Sequence, residues 1–346
     1  MFTALHDPRR TGDLVDPRRV HPSGLARLPG ANRYFRYLAP LYPAAFEAFD
    51  LRGYDTIVSS TTAWAKGVIV PPGAVHVCYI NTVSRFAFAY DAYVGGLATS
   101  GPAGALTGVA RPVVRRLVEW DRRAAQRPTA FVANSRNVAD RVRAHYGRES
   151  YVLAAPVDLD RFTVGTGGGD YFLVVSRLLP YKRVDLAIDA CARAGVPLRI
   201  VGSGPAERAL RAAARGTATT FCGPLDDVAL NALMGRARAV IVPGEEDFGL
   251  VPLEAAAAGR PAIAFGRGGA LETMVPGVTG DYFVEADAAS LAAAIERFDA
   301  SRFDSRGLRA HAETFSPARF VTRLRAIVDE VRSRPPSARS EGSQQG

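Results

Sequence analysis

Ala239-Val240-Ile241-Val242-Pro243-Gly244-Glu245-Glu246-Asp247-Phe248-Gly249-Leu250-Val251-Pro252-Leu253-Glu254 is the stretch that decides the fold, and it runs on into Ala255-Ala256-Ala257-Ala258-Gly259. It opens on an uninterrupted apolar run of strand length, as expected of a strand buried on both faces. The alanine run that closes it favours helix, and Gly259 is the expected stop. Pro252 suits the first helical turn, where a missing N–H costs nothing. The stretch therefore reads as strand, short loop, helix, with Glu246 in the loop and Glu254 in the first helical turn. The N–H groups of Phe248, Gly249 and Leu250 are expected to point out of the helix start, which favours an anion or an electron-rich oxygen there. Such a loop lies at the carboxyl end of a parallel sheet, where the ligands of these sheets bind.

The same alternation extends outward. Strands are expected at 171–176, 198–202, 219–222 and 261–265, and helices at 184–195, 206–215, 227–236, 288–298 and 317–333. Upstream, strands are expected at 54–59, 75–80, 129–133 and 151–154. Helical spacing marks 33–49, 112–126 and 136–146, the last capped by Asn134-Ser135. Residues 2–5 read as a strand end, 6–32 as loop, 86–93 as aromatic and helical, and 95–108 as a mobile Gly/Ala-rich loop. Residues 156–170 include four glycines in 165–169 and read as a flexible linker. Alternating strands and helices imply parallel sheets. The expected class is α/β: two Rossmann-like doubly wound parallel-sheet domains facing a cleft. The first covers 1–157 and the second 170–312. A helix at 313–333 is expected to pack back toward the first domain, and 334–346 to be a disordered tail.

With 346 residues, 48% apolar and 22% charged, the chain has enough length for two cores. Its three cysteines, Cys78, Cys191 and Cys222, have no metal spacing and read as reduced core thiols of a cytoplasmic protein. No apolar run reaches membrane length and no signal peptide is evident. The net charge of +9 suits an anionic membrane face or a phosphorylated substrate. Nucleic acid is not expected as a partner, because no recognised module accompanies the charge.

Ser176-Arg177-Leu178-Leu179-Pro180-Tyr181-Lys182 follows a strand and precedes a helix. Arg177 and Lys182 place two cations at a helix start, which is unfavourable unless an anion binds there. They read as a diphosphate clamp, against the plainer reading of two surface cations. Gly202-Ser203-Gly204-Pro205 is a glycine turn at the next strand end that would admit a ligand close to the backbone, although such turns are routine in parallel sheets. Gly268-Gly269 is similar. Glu246 and Glu254 are separated by seven residues. Beside the clamp, Glu254 could accept hydrogen bonds from ribose hydroxyls and Glu246 could orient sugar hydroxyls, which describes a nucleotide-sugar site.

Residues 171–283 resemble the donor half of retaining glycosyltransferases of family 4, which have the GT-B fold. The resemblance rests on VVSRLLPYKRVDLAI, IVGSGP, EDFGLVPLEAAAAGRP and GGALETMVPGVTG, in that order. YDTIVSSTTAWAKGVIVPPGAVHVCYI, WDRRAAQRP and FVANSRNVADRVRAHYGRES are similar to the mannosyltransferase subgroup that builds lipid-linked saccharides. The resemblance implies a retaining hexosyltransferase without a cofactor or metal. Its donor would be a nucleotide sugar, with GDP-mannose the guess, and its acceptor a saccharide or lipid-linked saccharide. It implies that Arg177 and Lys182 bind the diphosphate, that Glu254 holds the ribose, and that Glu246 with the Phe248–Leu250 backbone positions the sugar. Ser176, Gly202, Ser203 and Gly204 would lie near the nucleotide, and Asn81 and Arg85 on the acceptor side. The expected setting is the cytoplasm, with peripheral association at the inner membrane face through the basic helix 112–126 and the basic N-terminal segment.

Two departures from the family stand out. The family opens on a strand and a glycine-rich loop that this chain lacks, so either the first domain is incomplete or the start codon is misassigned. Where the subgroup carries a histidine, this chain has Asn81, which cannot take a proton at neutral pH. These departures motivate an alternative: a catalytically impaired relative that binds a nucleotide or a partner enzyme. A Rossmann oxidoreductase is disfavoured, because no G-x-G-x-x-G opens a helix after the first strand.

Overall fold

Among the described residues every strand pair is parallel, as expected where short apolar runs are joined through helices. The computed structural model describes residues 1–12, 15–84 and 103–334. The chain divides into two units. One comprises Met1–Asn134, Val138–Val152 and Arg325–Gly346, the other Ser135–Asn137 and Leu153–Leu324.

In the first unit, β1 (Phe2–Thr3) and β2 (His21–Pro22) form a small ribbon apart from the main sheet. Helix α1 (Pro8–Thr11) lies between them, within the segment expected to be loop. The periodic stretch 33–49 is not one helix but a 3-10 segment, Phe35–Leu41, followed by α2 (Tyr42–Glu47). Pro40 and Pro43 lack the N–H groups that a continuous α-helix would need. The main sheet has the order β3-β4-β5-β6, with β3 Thr56–Thr61, β4 Val75–Ile80, β5 Ala130–Ala133 and β6 Ser150–Val152. All of β4 is buried, including His76, whose Nε2 lies 2.8 Å from Ser59 Oγ while its Nδ1 has no partner. Burial holds this imidazole neutral, at a pKa of about 4.

Helix α3 (Ala103–Ala124) begins nine residues before the expected Pro112 and runs through that proline. It carries Asp121 into the core. There Asp121 Oδ1 lies 2.5 Å from Lys66 Nζ and accepts from Ser84 Oγ at 2.6 Å, while Oδ2 accepts from the Tyr146 hydroxyl at 2.7 Å. Lys66 and Asp121 are both buried and fully hydrogen-bonded, which is the condition for tolerating such a pair. Helix α4 (Arg136–Tyr146) supplies Tyr146. The expected helix at 86–93 and most of the expected loop at 95–108 lie outside the described residues.

The second unit has the sheet order β12-β11-β10-β7-β8-β9. Its strands are β7 (Phe172–Val175), β8 (Leu198–Val201), β9 (Thr219–Gly223), β10 (Ala239–Val242), β11 (Ala262–Phe265) and β12 (Gly280–Phe283). β12 was not among the expected strands. The helices are α5 (Val184–Arg193), α6 (Glu207–Ala213), α7 (Asp227–Arg236), α8 (Leu250–Ala257), α9 (Ala270–Thr273), α10 (Ala288–Glu296), α11 (Ser305–Glu313) and the first part of α12 (Pro317–Ser333), whose residues from Arg325 onward belong to the first unit. β10 and β11 are buried throughout, and the core includes Phe172, Ile241, Leu253 and Ile263. The glycine run 165–169 is not loose. Gly165, Gly167 and Gly169 donate to the carbonyls of Ala258, Gly235 and Arg236, at 2.9–3.1 Å. A Cβ on Gly165 would stand 2.1 Å from the Gly235 carbonyl, so these glycines serve close packing.

The fold class is thus the α/β class expected, with a Rossmann-like parallel sheet in each unit. Among the described residues, no helix is long and apolar enough to cross a membrane.

Candidate functional site

β7 and β10 lie side by side at the centre of the second sheet. The winding reverses there, through β8 and β9 on one side and β11 and β12 on the other. The loops leaving the carboxyl ends of β7 and β10 therefore diverge at the point where parallel sheets bind ligands. These two loops carry Ser176, Arg177 and Lys182 after β7, and Glu246, Phe248 and Gly249 after β10.

The β7 loop ends in a 3-10 turn, Pro180–Lys182, and Arg183 turns the chain into α5 with a φ of 51°. Lys182 Nζ lies 2.6 Å from both carboxylate oxygens of Glu246, which stands on the β10 loop. Both side chains are mostly buried. The backbones of the two loops also approach closely at Gly244, where a Cβ would meet the Tyr181 carbonyl at 2.8 Å. The sequence reading gave Lys182 and Glu246 separate roles; the fold brings them into one ion pair. Arg177 is exposed, 3.4 Å from the Tyr181 hydroxyl, and Ser176 Oγ donates to the Arg177 carbonyl at 3.0 Å.

Helix α8 starts at Leu250 behind Gly249, whose φ is 90°. A side chain there would be strained, and its Cβ would lie 2.6 Å from Thr273 Oγ1. Among the described residues, the N–H groups of Phe248 and Gly249 have no hydrogen-bond partner. Glu254 lies just past the first helical turn rather than inside it. Its side chain is 12% exposed and its Oε1 is 3.8 Å from Arg161 Nη1. Burial pushes its pKa up to about 7, with Arg161 opposing that rise and Asp227 adding to it.

Gly202 and Gly204 have a packing reason for being glycine. Their Cβ atoms would meet the Ser176 carbonyl at 1.9 Å and the Leu178 carbonyl at 2.4 Å, and the Ser203 carbonyl accepts from Leu178 N–H at 3.0 Å. Asn81 follows β4 in the first unit. Its amide donates to Ser60 Oγ at 3.2 Å and to the Thr61 carbonyl at 3.3 Å. Arg85 lies outside the described residues.

The sequence reading missed several residues. Ser135 and Asn137, which belong to the second unit, donate to carbonyls of the β10 loop. Ser135 Oγ reaches Asp247 at 2.6 Å, and Asn137 Nδ2 reaches Glu246 and Asp247 at 3.3 Å. Glu272 accepts from the N–H groups of Arg136 and Asn137 at 2.8 and 3.0 Å. Arg161 ion-pairs with Asp227 at 2.6 Å beside Glu254. Long sequence separations hid all of these, and local spacing held no signal for them.

Residues 169–299, which carry this sheet and both loops, match the family model described as glycosyl transferases group 1. The D-inositol 3-phosphate glycosyltransferase of Geodermatophilus obscurus is 32% identical over 248 residues, covering 62% of this chain and 55% of the relative. The chain thus spans about half the length of that relative. Among solved structures, sucrose-phosphate synthase from Thermosynechococcus elongatus aligns with a TM-score of 0.72 at 19% identity, covering 96% of this chain and 88% of the other. Anabaena Alr3699/HepE in complex with UDP aligns at 0.58 and 16% identity, covering 90% and 85%. At these identities the structural likeness is one of fold.

Proposed function

We propose that the protein is a retaining hexosyltransferase that uses a nucleotide diphosphate sugar. The observation that carries this reading is the pairing of Lys182 with Glu246 where the winding of the second sheet reverses. The group 1 glycosyl transferase match over the same residues supports it. An entering diphosphate takes Lys182 as its counter-ion, with Arg177 reaching it from the exposed side of the loop. Glu246, released, accepts hydrogen bonds from the sugar hydroxyls, and the N–H groups at the start of α8 face the same oxygens. Glu254 receives the ribose hydroxyls. In the reaction the bond between the sugar C1 and the diphosphate oxygen breaks, and a bond from C1 to an acceptor hydroxyl oxygen forms on the same face. The hydroxyl proton passes to the departing phosphate, so no strong protein base is needed. The cations stabilise the charge that develops on the leaving group.

The proposed acceptor is a saccharide or a lipid-linked saccharide. GDP-mannose is the first donor to test, with UDP-sugars beside it, since the HepE neighbour is described with UDP. Peripheral binding to an anionic membrane is proposed from the exposed arginines of α3, such as Arg115. Co-sedimentation with anionic liposomes at low salt checks it.

The test is calorimetric binding of GDP and UDP, followed by transfer assays with their sugars. Lys182→Ala and Glu254→Ala are each expected to weaken donor binding at least about tenfold, the loss of roughly one charged hydrogen bond. Unchanged binding in both variants removes the donor-site assignment. A second reading, nucleotide binding without turnover, is favoured by the engagement of the Asn81 amide with Ser60 and Thr61. Tight binding with neither transfer nor donor hydrolysis selects it.

A further inference from the structure

Three charged side chains meet beside the donor site on separate elements. Arg161 ends a 3-10 turn, Leu159–Arg161; Asp227 opens α7; Glu254 projects from α8. We propose that Asp227 holds Arg161 back from Glu254, so that the Glu254 carboxylate has a cation beside it while its oxygens stay open to a ligand diol. This rests on the reading of Glu254 as the ribose-binding carboxylate.

The geometry carries the inference. Arg161 Nη2 hydrogen-bonds Asp227 at 2.6 Å, whereas Arg161 Nη1 stands 3.8 Å from Glu254, beyond hydrogen-bond reach. The turn itself is fixed on two sides. Asn231 on α7 donates to Thr163 Oγ1 at 2.8 Å and accepts from Thr163 N–H at 3.1 Å. Arg309 on α11 donates to the carbonyls of Leu159, Phe162 and Ala257, at 2.8–3.2 Å. These bonds hold the backbone of the turn from two sides, so the choice between two carboxylates lies with the Arg161 side chain. Asp227 is 61% exposed and Glu254 12% exposed, so Arg161 bridges an open carboxylate and an enclosed one. Among the described residues, the charged groups acting on Glu254 are Arg161, which favours its ionised form, and Asp227, which opposes it; Asp158 acts in turn on Arg161.

Removing either partner has a different consequence. Without Arg161, the enclosed carboxylate takes up a proton more readily. Without Asp227, the guanidinium is free to close on Glu254 and occupy the oxygens a diol would use. Both changes weaken nucleotide binding, but only the first is reversed by raising the pH.

The experiment follows the Glu254 carboxyl carbon by NMR against pH in the ligand-free full chain, and measures UDP and GDP affinity calorimetrically at pH 7 and pH 9. It compares the wild type, Arg161→Gln, Asp227→Asn and the double variant, with melting curves confirming that each is folded. Arg161→Gln is expected to raise the Glu254 midpoint by about one pH unit. From a midpoint of about 7, such a rise cuts nucleotide affinity at pH 7 about fivefold, with recovery at pH 9. Asp227→Asn is expected to lower the midpoint and to weaken binding about threefold or more at both pH values. The double variant should bind like Arg161→Gln, since no guanidinium remains to close. An unmoved Glu254 midpoint in both single variants overturns the proposal, as does wild-type affinity in Asp227→Asn. If the midpoints move as stated but the wild type binds neither nucleotide, the donor-site reading fails and the linkage among the three charges stands.

Discussion

Glu254 shows at the scale of one residue how enclosing a carboxyl sets a cost on stability. A carboxyl ordinarily titrates near 4.5, and burial raises this one to about 7. Between those values the native protein holds a proton that the unfolded chain releases. Stability contributed at low pH is therefore lost as the pH rises from about 4.5 through about 7. Glu254→Gln abolishes this slope. The variant is expected to match the wild type near pH 4 and to exceed it at pH 8 by up to about 3 kcal/mol, read from urea unfolding at both values. The same variant is expected to lose nucleotide affinity at neutral pH. A glutamine variant less stable than the wild type at pH 8 would show that the carboxylate is stabilising and that this account is wrong.

Among the elements, the loop between β10 and α8 has the tightest demands. Lys182 and Glu246 tie it to the β7 loop, Ser135 and Asn137 hold its carbonyls, and Gly269 N–H donates to the Glu246 carbonyl at 2.8 Å. Gly249 closes it in a conformation that side chains resist. Gly249→Ala is expected to cost about 1–3 kcal/mol in chemical denaturation, from backbone strain and the contact with Thr273. Donor affinity should fall with it, because the N–H groups at the start of α8 move. A neutral Gly249→Ala would mean that the loop relaxes without consequence. Element boundaries such as these were legible where composition is extreme, in the apolar β10 and the alanines of α8, and where helical spacing is unbroken, in α4. They were not legible at 33–49, where two prolines override helical spacing. Nor were they at 165–169, where glycines that resemble a flexible linker serve close packing. Periodicity reports which face is buried, not which backbone hydrogen bonds are available.

At the scale of the whole molecule, a ligand bound only by the native state raises stability through mass action. UDP or GDP at about a hundredfold its dissociation constant is expected to add about 2.7 kcal/mol to unfolding of the wild type. The same concentration should add about 1.4 kcal/mol or less to Lys182→Ala, given at least tenfold weaker binding. Equal increments in the two proteins would place nucleotide binding away from the β7 and β10 loops.

The sequence by itself determined the α/β class, the alternation of strand and helix in both units, and the residues at the carboxyl ends of β7 and β10. These follow from local composition: apolar runs of strand length, helix formers, and glycines at turns. The tertiary structure decided how those residues are used. It joined Lys182 to Glu246 across 64 positions of chain. It also enclosed Glu254 and set Arg161 between two carboxylates. Charge state and pairing depend on distance and burial, and sequence spacing encodes neither until the sheet has brought distant loops together.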